Sequence, residues 1–113
     1  MKLAVINVEE GLKRVMNNKA LFRRLLGNFS GQSMILQITE AVEKGDHTEL
    51  SKAAHALKGV AGNLSMHQLA DIAGRIDECA REEKNASALL PELNSAMLAV
   101  DEEIARLVND AEA

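Results

Sequence analysis

The 113-residue chain has no tryptophan or tyrosine, and its only aromatic side chains are Phe22 and Phe29. It has one proline, Pro91, and one cysteine, Cys79. A single cysteine cannot form an internal disulfide, which fits a reducing, cytoplasmic setting. No apolar run approaches the roughly 18 residues of a membrane span, and the opening stretch, Met1 to Asn7, is too short for a signal peptide. Nor is there an excess of basic charge: acidic residues outnumber basic ones, 17 to 13. The net charge is −4, whereas nucleic-acid binding calls for a basic surface. What remains is ordinary for a soluble globular protein. Ala, Leu, Glu, Lys, Met and Arg dominate, all helix formers. The composition predicts an all-α chain, and residues 1–113 are the length of one domain with a core of its own.

The punctuation divides the chain into helices. A short helix is expected over Val8 to Met16, with Asn7 as N-cap and Glu10 three residues on. A second starts near Asn18 and carries Leu21, Phe22, Leu25, Leu26 and Phe29 at helical spacing. The stretch Gly27-Asn28-Phe29-Ser30-Gly31 is a break. A third helix runs from Gln32 to Lys44 with Ile35, Ile38 and Val42 inward, and Gly45 ends it. Asp46 caps the fourth, with Glu49 completing a capping-box pattern. A turn at Asn63-Leu64-Ser65 leads to a fifth helix, Met66 to Glu82, with Leu69, Ile72, Ile76 and Cys79 on one face. Pro91 is tolerated only in a first turn, so the last helix starts between Ser87 and Pro91. Its stripe of Leu90, Leu93, Met97, Val100, Ile104 and Leu107 is a bundle seam. Short connections make successive helices antiparallel neighbours. The expected architecture is an up-and-down antiparallel four-helix bundle with one or two short extra helices at the N-terminus. One bundle uses every apolar stripe, so a monomer is expected. Met16, Met34, Met66 and Met97 read as core filler.

The fourth helix carries the most informative pattern, His55-Ala56-Leu57-Lys58-Gly59-Val60-Ala61-Gly62-Asn63-Leu64. At about 100° per residue, Thr48, Ser51, Gly59 and Gly62 lie within about 40° of His55, and Lys52 and Lys58 flank it at about 60°. Leu50, Ala53, Leu57, Val60 and Leu64 lie opposite. His55 is therefore expected at the centre of an exposed polar face. Glycine inside a helix costs roughly 1 kcal/mol against alanine, and an idle surface would carry Glu, Lys, Gln or Ala at positions 59 and 62. Two glycines beside one histidine point to access: something large approaches His55.

Such a face suits nucleophilic chemistry, because a neutral imidazole can attack phosphorus and hold a phosphoryl group. The neighbouring lysines would disfavour the imidazolium and stabilise an arriving phosphoryl group. A metal-binding bundle is a weaker reading. Di-iron bundles use Glu-x-x-His on inward faces, but Lys44, Lys52 and Leu64 stand three residues before His47, His55 and His67. His47 and His55 are also about 12 Å apart along one helix. His47 and His67 read as surface residues at helix starts, and no metal ligand is assigned. A helical adaptor without chemistry is the other alternative.

These residues resemble the histidine-containing phosphotransfer (Hpt) domains of two-component phosphorelays. The family motif is similar to His55, Lys58, Gly59, Gly62, Asn63 and Leu64, preceded by a Gly-Asp pair matched by Gly45-Asp46. Gly11-Leu12-Lys13-Arg14 and the stretch from Phe22 to Phe29 resemble the family's upstream pattern. Ser65-Met66 stands where Gly-Ala is common, and Val60 replaces a frequent serine. The resemblance implies that His55 takes a phosphoryl group on Nε2 from one receiver-domain aspartate and passes it to another. Lys58 would stabilise the group and Gly59 would give clearance, with Ser51, Lys52 and Gly62 facing the partner. The implied partners are receiver domains of response regulators or hybrid sensor kinases. No cofactor is expected in this chain, since Mg²⁺ belongs to the receiver. Histidine autokinases of two-component systems commonly have an acidic residue after the histidine and need an ATP-binding domain. Here Ala56 follows His55 and the bundle uses the whole chain, so ATP-dependent autophosphorylation is not expected. A C-terminal Hpt domain excised from a hybrid sensor histidine kinase is an alternative reading.

Overall fold

The computed structural model describes residues 3–110. They form six α-helices: α1 (Val8–Arg14), α2 (Lys19–Gly27), α3 (Gly31–Lys44), α4 (His47–Asn63), α5 (His67–Arg81) and α6 (Leu90–Asp110), with a 3-10 turn, Ser87–Leu89, leading into α6. Both predicted N-caps, Asn7 and Asp46, are made, and Asn18 adds a third. Asn7, Asn18 and Asp46 each accept a hydrogen bond from the backbone N–H three residues on, at 3.1, 3.0 and 3.0 Å. These bonds satisfy donors that a helix start leaves orphaned. Gly45 ends α3 at φ 65°, in the left-handed region that glycine enters without penalty. The Asp46 N–H then bonds back to the Ala41 carbonyl at 3.0 Å. That donor is used up, so the capping box at α4 is made in one direction.

Helices α3 to α6 are the bundle. The α4–α5 pairing is the most extensive, and α3–α4, α5–α6 and α3–α6 contacts close the ring. Its centre holds Ile38, Leu57, Leu69, Ile72, Ile76, Leu93, Met97 and Val100, all essentially inaccessible. The predicted inward faces of α3, α5 and α6 are the observed ones. Helix α1 stops at Arg14, two residues early, because Met16 and Asn17 turn into positive φ. Met16 is 90% exposed and fills no core, whereas Met66 and Met97 are buried. Leu25 and Val60, both placed in apolar stripes, lie partly in solvent. Val60 sits at the edge of its stripe, about 60° from Leu57. Among the described residues no helix is long and apolar enough to cross a membrane.

The N-terminal segment straps the α4–α5 turn. Ser65 is fully buried at φ 59°, a conformation costly for a residue with a Cβ, which accounts for the glycine common there in the resembling family. Its carbonyl accepts from Asn7 N at 2.9 Å, and its hydroxyl donates to Glu10 at 2.9 Å. His67 Nε2 lies 3.0 Å from the same carboxylate oxygen, so His67 is a tied residue and not an idle surface one. The carbonyls of Leu3 and Ala4 accept from the side chain and backbone of Gln68. They satisfy the start of α5, where Met66 offers no side-chain cap. The Ser65 hydrogen bond, aided by His67 and Arg14, outweighs desolvation and holds the Glu10 carboxyl below the ordinary glutamate range.

A depressed folded-state value contributes stability that is present above the unfolded value and lost as pH falls through the folded one. Glu10→Gln should therefore melt below the native chain near neutral pH. The gap should close as the pH falls through the ordinary glutamate range, about 4.3, and below it. Melting curves of both chains across that range would show it, and a gap that stays constant into acid would refute the assignment.

Candidate functional site

Helix α4 offers two sides. Leu50, Ala53, Ala54, Leu57 and Ala61 are buried, and this anchoring turns His55 outward, with 70% of its side chain exposed. Gly59 and Gly62 lie one and two turns on. A Cβ at either would meet nothing within 4 Å, so neither glycine is required by packing. The bareness beside His55 is open space on the surface.

The neighbouring helix completes the surroundings. Asp77 on α5 is a carboxylate that is 5% exposed, and its Oδ2 lies 3.8 Å from His55 Nδ1. That is close enough for attraction but too long for a hydrogen bond. Its Oδ1 accepts a 2.6 Å hydrogen bond from the Ser51 hydroxyl, and its Oδ2 is ion-paired with the Arg81 guanidinium at 3.0 Å. A buried charge is tolerated when it is paired and hydrogen-bonded, and both conditions hold here. Lys58 extends across Gly74 of α5. A Cβ at Gly74 would lie 3.5 Å from Lys58 Cδ and 3.8 Å from its Nζ. His55, Lys58, Asp71, Gly74, Arg75, Asp77, Glu78 and Arg81 line one open groove between α4 and α5.

The two lysines expected to flank His55 are thus unlike. Lys58 shares the histidine's groove, while Lys52 lines a separate groove toward α3 with Gln37, Glu40, Lys44 and Glu49. The histidine's surroundings are of mixed charge, since Asp71, Asp77 and Glu78 stand among the cations. Ser51 lies on the His55 side of α4, with its hydroxyl given to α5. Arg75 is engaged elsewhere, with Asp71 at 3.2 Å and with Glu92 on α6.

Asp77 and Arg81 were not found by the periodicity of α4, because they belong to another helix. A signal for Asp77 does exist in the sequence. It falls four residues after Ala73 and three before Ala80, a spacing reserved for inward positions, and a charge there calls for a partner. Among the described residues, no group of three His, Cys, Asp or Glu side chains is arranged to hold a metal ion.

What this arrangement can do is limited and specific. It presents one accessible imidazole, a cation beside it, a buried carboxylate behind it and clear space in front. Residues 30–110, which span α3 to α6, match the family model described as Hpt domain. No curated protein and no solved structure matches the chain.

Proposed function

The chain belongs to the Hpt domain family, whose members serve histidine phosphotransfer in two-component systems, and from that membership we propose that His55 is its phosphoryl carrier. The observation that supports this most is the exposed imidazole beside two glycines whose missing side chains nothing else explains. A receiver domain carries its phosphoryl group as an aspartyl phosphate inside a pocket, so the acceptor must reach in. His55 Nε2 attacks phosphorus with its lone pair. The bond from phosphorus to the aspartate oxygen breaks, and that electron pair leaves with the carboxylate. The proton on the ring stays at Nδ1, toward Asp77. The phosphorylated ring carries positive charge, which the Asp77 carboxylate offsets, while Lys58 and Arg81 are placed to balance the phosphoryl oxygens. Attack by a second receiver's aspartate reverses these steps.

In this reading the chain shuttles a phosphoryl group without ATP, as a single-domain cytoplasmic monomer, and Mg²⁺ is the receiver's. Gly59 and Gly62 give clearance, and Ser51, Lys52 and Lys58 border the docked partner.

The test is transfer from a pre-phosphorylated receiver domain, with Mg²⁺, to the native chain and to His55→Gln. One acid-labile phosphoryl group, read by intact mass on the native chain alone, is the expected result. Gain on both chains would move the acceptor to His47 or His67. No gain from several receivers would leave the adaptor reading.

A further inference from the structure

A nucleophilic Nε2 needs its ring proton on the other nitrogen, and the partner of that nitrogen decides the tautomer. Among the described residues, the carboxylate paired with His55 is that of Asp77, whose Oδ2 lies 3.8 Å from Nδ1 and so acts on the ring proton by its charge. Where that oxygen points depends on the rotation of a short side chain with two holders. Arg81 grips Oδ2 from a side chain that is 64% exposed, so it competes with His55 for the same atom. Ser51 holds the other oxygen. Its bond of 2.6 Å is a short hydroxyl-to-carboxylate contact, of the stronger charge-assisted kind. Ser51 also stands one turn before His55 on the same helix, so its hydroxyl registers the α5 carboxylate to the helix that carries the histidine.

We infer that Ser51 is a positioning residue for His55: by holding Asp77 Oδ1 it keeps Oδ2 aimed at Nδ1 and so maintains the tautomer with Nε2 free. The consequence for transfer rests on the reading of His55 as phosphoryl carrier. Other charges that face His55 are Lys58 from α4, and Asp71, Arg75, Glu78 and Arg81 from α5. Glu40 and Lys44 of α3 line the Lys52 groove instead. Ser51 donates to Asp77 Oδ1, whereas Arg81 is nearest to Oδ2, so the effect is separable from the general field of the groove.

The test compares the native chain with Ser51→Ala and Ser51→Thr. Imidazole ¹⁵N shifts across a pH series report the His55 tautomer, and transfer from a phosphorylated receiver is measured over the same series. The native chain should show the Nδ1–H form in excess. Ser51→Ala should shift the ratio toward Nε2–H and slow transfer about 10-fold where the ring is neutral, and Ser51→Thr should restore both. Melting curves would show that all three chains are folded. An Ala variant with the native tautomer ratio, or with an altered ratio and the native transfer rate, overturns the inference. A native chain that accepts no phosphoryl group would sink the carrier reading and leave the tautomer comparison standing on its own.

Discussion

A Gly59→Gln chain should melt a few degrees above the native one and yet accept a phosphoryl group about 100-fold more slowly. The two effects have separate causes. Gly59 lies inside α4 with helical neighbours on both sides. There glycine costs about 1 kcal/mol relative to a good helix former, through the extra freedom of the unfolded chain. A new side chain would meet no atom within 4 Å at its Cβ, so no strain offsets that gain. Transfer suffers because the added atoms rise from the turn directly after His55, on the surface a receiver must cover. Displacing the reacting atoms by about 1 Å can cost roughly two orders of magnitude. Gly59→Ala, adding one methyl group, should gain most of the stability and lose far less of the rate. Thermal melts and single-turnover transfer on the three chains decide the matter. A Gln variant that transfers at the native rate would leave Gly59 without the role assigned to it. A Gln variant less stable than the native chain would mean that the helix needs glycine there for packing.

That opposition of stability and rate also shows which parts of the molecule are legible in its sequence. Helix ends are local, and Asn7, Asn18, Gly45 and Asp46 announce them through side-chain chemistry acting over three or four residues. The exposure of His55 is local too, because the stripe through Leu50, Ala53 and Leu57 settles which side of α4 is wet. The surroundings of His55 are not local. Lys52 and Lys58 are equivalent on a helical wheel, and only the presence of α3 on one flank and α5 on the other separates them. Asp77 comes within reach of His55 through the register between α4 and α5, which the periodicity of either helix leaves open. Val60 fails for a related reason. A wheel assigns it to the apolar side, but burial depends on whether a neighbour extends that far around. The strap from Leu3 to Glu10 could not be read either, since its bonds to Ser65, His67 and Gln68 join residues more than fifty positions apart.

The same register predicts that Ala54→Leu will damage stability and transfer together. Ala54 has no accessible surface. It stands three residues after Ser51, which bonds Asp77, and four before Lys58, which lies over Gly74. Residues three and four apart share a helix face, so Ala54 is on the side of α4 that meets α5. The facing ridge of α5 holds Ala73 and Ala80, also buried, on either side of Asp77. Small side chains let the two helices approach, and that approach puts the Asp77 carboxylate within 2.6 Å of Ser51 and 3.8 Å of His55. Leucine at position 54 adds three carbons where no space is left. Overpacking of this kind costs about 1–3 kcal/mol, an appreciable part of the 5–15 kcal/mol typical of a domain. It can be relieved only by separating the helices or rotating α4, and either move lengthens the Ser51–Asp77 bond first, because hydrogen bonds fade steeply beyond about 3.2 Å. Urea unfolding should show the lost stability, and transfer to the folded variant should fall alongside a changed His55 tautomer. A folded Ala54→Leu chain with native tautomer and native rate would mean that the two helices have slack at this point. The placement of Asp77 would then not depend on their close approach.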